Sequence, residues 1–584
     1  MLPTAAALPG AATPPAAAAP AVDPYLADPR QLGNGLIIPS LAGYCDQPYV
    51  VRLPDGAWLC MMTTGPVEEG LQGQRIVAIR STDRGRTWSA MVDIEPPDGR
   101  EASWVMPYLT SYGRVYAFYT YNRDNLRRVV TDPGHEYAGS RVDTLGIYAY
   151  RWSDDGGRTW SAARGEVPLP LAAIDRTNPY GGEVRFFWGV GKPVRQRGTM
   201  YFGFARVGGF GHGFMATSEG ALVASDNIDH ERDATRLRFR VLPDGEVGLR
   251  APCGPRAEET CVVGLADGSL FCTYRGVDGF LMHGYSRDGG SSFQTGYATY
   301  RPGGRRIKHP LACPPVWRLR DGRFLLWFHN HGGKWYEGRN PVWLCGGIER
   351  DGFIHWSQPE VALFDLDMHG GVRISYPDLI EEDDGTLYLT ETQKKTARVH
   401  RLPAALVDGL FSQSEPAARG PQDAWLRLAG PGRSAWMGAR RWAESGLTFV
   451  FTVELPQRAQ AAPLVGWEHP ELSIAINATA HGALALAIPG ASAHFARDQF
   501  GGPGPHRVAV ILDAHLRRSL VVVDGELVDG GSEQQYGQGG LGYVQPPLDA
   551  PATVTAHPRT SDLALFDRAL SVSEAVLLTR PGMP

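Results

Sequence analysis

Apolar positions in this chain alternate with polar ones over short stretches, and long runs at helical spacing are scarce. Strict alternation is the mark of a half-buried strand, so the pattern predicts an all-β fold. One unit recurs: a turn ending in glycine, then a run of alternating apolar residues. It appears at Asp55-Gly56, Tyr112-Gly113 and Arg197-Gly198, and again at Asp267-Gly268, Asp321-Gly322 and Asp384-Gly385. Asp-Gly suits a tight hairpin because both positions tolerate positive φ. Each glycine-led run reads as one strand of a hairpin. The six hairpins are spaced by about 55 to 85 residues, a period that accommodates a four-stranded blade and its loops. Six blades closed into a ring would leave few exposed sheet edges.

A second element recurs in step with the hairpins. It runs from Ser81 through Asp83 and Gly85 to Thr87 and Trp88, and again from Ser153 through Asp155 and Gly157 to Thr159 and Trp160. A looser copy has Ser286, Asp288, Gly290, Ser292 and Phe293. This Ser-x-Asp-x-Gly-x-Thr-Trp pattern is the Asp-box. Its aspartate can bond nearby backbone amides, its glycine can take positive φ and its aromatic residue can pack under the turn. These roles are structural rather than catalytic.

The text changes at both ends. Residues 1–25 are mostly Ala and Pro, a composition that buries too little surface to offset its ordering entropy, and they are read as disordered. They lack the basic start and apolar core of an export signal. The propeller is expected over 26–411 and a linker rich in Ser, Pro, Gly and Ala over 412–424. A β-sandwich of the jelly-roll type is expected over 425–584. Strand-like runs at Leu447–Val453, Arg507–Leu512 and Ser519–Val523 support the last reading. The segment from Leu563 to Leu570 resembles the closing strand of laminin-G-like domains, whose usual roles are sugar binding or packing against a catalytic domain.

Composition narrows the function classes. A net charge of −5 over 584 residues gives no concentrated basic face, so nucleic acid is not expected as a partner. No apolar run approaches the roughly 18 residues that span a bilayer. Seven cysteines are an odd number, and none has the close spacing of a zinc site, so buried thiols are expected. No metal or cofactor is implied.

Residues 44–400 resemble the sialidase superfamily in three places. The stretch from Glu258 and Glu259 to Arg275 is similar to the one holding the sialidase catalytic glutamate and the second arginine of its carboxylate-binding triad. Arg339, in Tyr336-Glu-Gly-Arg-Asn-Pro, sits where the third arginine is expected. Ser375-Tyr376-Pro-Asp looks like the segment carrying the nucleophilic tyrosine. The resemblance implies a glycosidase that uses tyrosine as nucleophile instead of a carboxylate. Glu259 would take the phenol proton of Tyr376, while Arg275 and Arg339 grip an acidic sugar with paired N–H donors. A phenolate avoids setting a carboxylate against the substrate's own.

The chain departs from that pattern twice. Where the first arginine is expected it reads Tyr44-Cys45-Asp46-Gln47-Pro48. Where the acid/base aspartate is expected it reads Arg100-Glu101-Ala-Ser-Trp104-Val-Met106-Pro107. Glu101 and Asp46 are candidates to replace the acid, and Gln47, Trp104 and Arg373 are candidates to contact substrate. The basic run ending in Lys308 and His309 could meet an anionic sugar. His329 and His331, two residues apart at a strand end, point to one side and could act as acid/base groups, as a metal pair or as substrate donors. The leading reading is a sialidase-like glycoside hydrolase acting on a terminal acidic sugar of a glycan. A polysaccharide lyase and a non-catalytic carbohydrate-binding protein are the alternatives. By analogy with other polymer-degrading enzymes, an extracellular or periplasmic place is expected.

Overall fold

The computed structural model describes residues 28–581 apart from 98, 212–213, 368–370, 438–445, 457, 459, 496, 501 and 543–550. The Ala/Pro-rich segment 1–25 lies outside the described residues. Among those described are six antiparallel sheets of four or five strands, followed by two larger sheets. The first blade runs through Tyr44–Arg52, Trp58–Gly65, Arg75–Ser81 and Val92–Asp93. The second starts at Ala102–Leu109, the third at Phe187–Gly189, the fourth at Glu258–Gly264, the fifth at Val316–Arg318 and the sixth at Ser375–Glu381. The first strands of neighbouring blades pack on one another around the axis, as those of blades six, one and two do. The protein is therefore a six-bladed β-propeller followed by a β-sandwich.

The ring closes with a strand from the other end of the domain. Leu36–Ile38 pairs antiparallel with Ala397–Arg401 and completes blade six, with Leu36 opposite Val399. Ile38 is buried there, while Leu36 and Ile37 stay exposed on this short edge. Each of the three Asp-boxes begins on the last residue of a blade's third strand, in blades one, two and four. In the first, the Asp83 carboxylate accepts from Thr87 N at 2.9 Å and from the Ser81 and Thr87 hydroxyls. The same bonds recur at Asp155 and Asp288. Thr87 and its amide hold the Asp83 carboxyl down near pKa about 2.

Beyond Arg401 the chain forms the helix Ala404–Ser412 and then enters the sandwich. One sheet is built around Leu447–Leu455, Gly504–Asp513 and Thr560–Phe566, the other around Ala462–Glu468, Ser473–Ala478 and Ala552–Ala556. Trp467, Phe449 and Val510 are among the side chains filling the space between them. The sandwich is anchored to the propeller by buried polar contacts. Glu360 of blade five accepts from Val572 N and Ser573 N, at the start of the helix Val572–Thr579. All seven cysteines are free thiols, and all but Cys253 are buried. No helix among the described residues is long and apolar enough to cross a membrane.

Ile38 tests the closure. Ile38→Ala leaves a cavity under the closing strand and is expected to cost about 2–4 kcal/mol. Chemical denaturation reads this as a lower midpoint, and a midpoint equal to wild type would show that the strand contributes nothing to ring stability.

Candidate active site

Four blades share one irregularity on the axial strand. The register of that strand against its neighbour breaks between Asp46 and Tyr49, Ser103 and Met106, Glu258 and Cys261, and Ser375 and Asp378. Immediately after the last regular pair of each stands a non-glycine residue in left-handed backbone. These are Gln47 (φ 52°), Trp104 (φ 63°), Glu259 (φ 55°) and Tyr376 (φ 44°). A bulge of this kind re-aims a side chain. An L-residue in left-handed backbone costs about 1–2 kcal/mol, so the surrounding structure must impose it.

Trp104, Glu259 and Tyr376 line one cavity, open to solvent. Its wall also includes Glu69, Arg141, Arg275, Arg339, Arg373 and Lys394, with Trp188, Met215 and Tyr336 supplying apolar surface. Below it, the buried Asp378 accepts from Val50 N and Lys192 Nζ, both at 2.8 Å, and so ties blades one, three and six together.

The centre of the site is a hydrogen bond. Tyr376 Oη donates to Glu259 Oε1 at 2.7 Å, and Trp188 Nε1 approaches the same oxygen at 3.4 Å. Burial, with Glu259 alongside, pushes the Tyr376 phenol well above its ordinary range, against the pull of Arg275 and Arg339. A phenol in this state reacts only as its proton leaves, and Glu259 is the acceptor already in contact. Arg275 spans both glutamates: it donates to Glu258 Oε2 at 3.0 and 2.8 Å and lies 2.7 Å from Glu259 Oε2. Burial disfavours its charge, but the two carboxylates hold it firmly protonated.

Arg339 differs from Arg275 in lacking a carboxylate partner among the described residues. It donates to Ser375 Oγ at 2.8 Å and to the Leu311 carbonyl at 2.9 Å, and its Nε is buried with no hydrogen-bond partner. Arg373 stands exposed at the rim, and its guanidinium makes no ion pair among the described residues. Buried positive charge without a salt bridge is costly, so the chemistry of this wall suits an anion.

The opposite wall carries its own charge network. Lys394 Nζ lies 2.5 Å from Asp46 Oδ2, 3.3 Å from Glu69 Oε1 and 4.2 Å from the centre of the Tyr376 ring. Arg141 bridges Asp143 and Glu69, at 2.9 and 3.3 Å. Burial works against ionisation of Glu69, but Lys394 and Arg141 outweigh it and hold the carboxyl down at about 2. Burial pushes the carboxyl of Asp46 up, against Lys394.

The sequence-derived candidates therefore divide. Trp104, Glu259, Arg275, Arg339, Arg373 and Tyr376 line the cavity. Asp46 lies behind Lys394 and also accepts from Tyr44 Oη. Gln47 is buried and donates to the Gly189 carbonyl at 2.9 Å. Glu101 faces away from the cavity, bound to Arg127 and Asn122. His329 and His331 do not share a side: the chain leaves its strand at Phe328, and the rings diverge. His329 stacks on His309, 6.0 Å between centroids, behind Arg339, whereas His331 stacks on Tyr536 of the sandwich. His309 bonds the Ala312 carbonyl. None of the three histidines is in the cavity wall. The basic run before the fifth blade also turns away, with Lys308 and Arg305 meeting the sandwich at Asp529. Among the described residues no group of three or more His, Cys, Asp or Glu side chains could hold a metal.

Lys394, Glu69, Arg141 and Glu258 escape the sequence reading. The first three sit on loops or turns with no repeating signal, and only ring closure brings them together.

No protein-family model matches the chain, and no curated protein matches it. Solved structures similar to it include a sialidase from Trypanosoma rangeli in complex with the inhibitor DANA. That likeness has 15% identity, covers 94% of this chain and 95% of that one, and has a TM-score of 0.42. A protein of unknown function from Dyadobacter fermentans has 16% identity, with 63% and 98% covered and a TM-score of 0.45. The NanB sialidase from Streptococcus pneumoniae has 14% identity, with 65% and 70% covered and a TM-score of 0.42.

The buried histidines set a pH dependence. Burial lowers the pKa of His309 to about 3 and that of His331 to about 4, both from an ordinary value near 6.5. Because the unfolded chain binds protons that the native state refuses, the contribution of these two histidines to stability is constant above about pH 6.5 and falls as pH drops toward 4. Thermal unfolding across this window should show the fall, and a His309→Gln variant should show a shallower one. An identical slope in the variant would exclude His309 as a source.

Proposed function

We propose that the chain is a glycoside hydrolase of the sialidase type that removes a terminal acidic sugar from a glycan. The observation that carries this reading is the 2.7 Å bond from Tyr376 Oη to Glu259 Oε1, set in a cavity whose Arg339 makes no salt bridge among the described residues. The sugar's carboxylate docks on Arg339 and Arg373 and completes their hydrogen bonding. Tyr376 Oη attacks the anomeric carbon as its proton passes to Glu259, and the bond to the leaving oxygen breaks. That oxygen takes a proton from the Lys394–Glu69 pair, which recovers one from the water that later releases the sugar. Glu259 returns its proton to Tyr376 as the covalent bond breaks.

One observation favours a second reading. Glu69 is held ionised, so the wall opposite Glu259 offers no carboxylic acid to a poor leaving group. A lyase needs less of that wall. Tyr376, passing its own proton to Glu259, would remove the proton next to a uronic carboxylate that Arg339 and Arg373 neutralise; the double bond would form as the C–O bond breaks, and the leaving oxygen would take the proton from Glu259.

The two reactions are separated by screening sialosides, uronides, neutral aryl glycosides and acidic polysaccharides. Reducing sugar or aglycone without ultraviolet absorbance means hydrolysis, and a new absorbance from an unsaturated product means elimination. In the hydrolase, Glu259→Gln should lower kcat about 10²–10⁴-fold. Tyr376→Phe should lose at least as much. Full activity in both variants would sink the mechanism. Arg339→Met should act mainly on KM, raising it about tenfold or more for acidic substrates and leaving neutral ones unchanged.

A further inference from the structure

The sandwich meets the propeller beside the cavity, through the segment 529–537. Gly332 N donates to the Gln535 carbonyl at 3.0 Å, and His331 and Tyr536 form an isolated antiparallel bridge. Lys308 Nζ donates to the carbonyls of Asp529 and Gln534, at 2.9 and 2.7 Å. The Tyr536 ring stacks on the His331 ring, 4.7 Å between centroids and 25° from parallel.

His331 passes this contact on. Its Nδ1 accepts from Gly333 N at 3.1 Å, so the proton of the neutral ring sits on Nε2, which donates to the Gly338 carbonyl at 2.9 Å. Gly338 is wedged against both rings. A Cβ there would lie 2.6 Å from His331 Nε2 and 2.8 Å from Tyr536 Oη, and its φ of +75° disfavours any side chain. The next residue is Arg339.

We propose that the sandwich segment 529–537 is part of the carboxylate-recognition apparatus. Tyr536 fixes His331, His331 fixes Gly338, and Gly338 sets the place from which Arg339 enters the cavity. This rests on the reading that Arg339 holds the substrate's carboxylate. Tyr536 and His331 are positioning residues, since neither lines the cavity. On this view the sandwich is a fixed component of the sugar site, where a tethered module with a separate sugar site would leave the cavity independent of it. An arginine held by two neutral acceptors has no ionic partner to locate it, so its backbone must be located instead.

The test compares Tyr536→Ala, Tyr536→Phe and wild type in the full chain. Amide hydrogen exchange over residues 331–341 decides the mechanical step without any ligand. Exchange should rise in Tyr536→Ala and return toward wild type in Tyr536→Phe, which keeps the stacked ring. Unchanged protection in Tyr536→Ala overturns the proposal. Kinetics on the acidic substrate decide the functional step. KM should rise about tenfold in Tyr536→Ala with kcat within about twofold, because binding is lost and chemistry is not. A rise in exchange with an unchanged KM also overturns it. If wild type turns over no acidic sugar, the proposed function falls, while hydrogen exchange still decides whether Tyr536 holds the Arg339 segment.

Discussion

The site depends on backbone held where L-residues resist going. Gln47, Trp104, Glu259 and Tyr376 occupy left-handed φ at the same step of four axial strands. In regular strand geometry their side chains would alternate between the faces of the blade and pack against its neighbours. The extra residues at each register break turn them toward the axis instead. Three of the four then meet in one cavity, and the fourth braces a strand of blade three. The ring can impose this because each axial strand is clamped by its own blade and by its neighbours.

That clamp also explains which parts of the molecule were legible in advance. Hairpin turns, alternating runs and Asp-boxes are local signals, and they mark the blades because each blade is a local object. Tyr376, Glu259, Arg275 and Arg339 were singled out differently, by the resemblance of the short stretches that hold them to motifs of a known family. Lys394 follows the second strand of blade six and Glu69 follows the second strand of blade one. Nothing in either stretch signals that the two will form an ion pair across the closed ring. The histidines misled for the opposite reason. Spacing by two implies one face only while a strand continues, and this strand ends at Phe328.

The cavity is polarised. One wall holds Arg339 and Arg373 without ionic partners among the described residues, and the other holds cations and carboxylates that already satisfy one another. A negative charge placed in the cavity would find cations free of salt bridges on one side only. Arg275, between Glu258 and Glu259, keeps Glu259 next to a permanent positive charge without exhausting it, because Glu259 Oε1 remains on the phenol.

Ring closure by Leu36–Ile38 has a consequence for how the protein is made. The ribosome delivers this strand more than 300 residues before its partner around Val399. Throughout that interval the nascent propeller is an open arc, with an unpaired edge at each end. Pairing of such distant segments is slow, and open edges invite association with other chains. Because the axial strands can force their strained residues inward only once the circle is complete, the cavity takes shape only after blade six has been delivered.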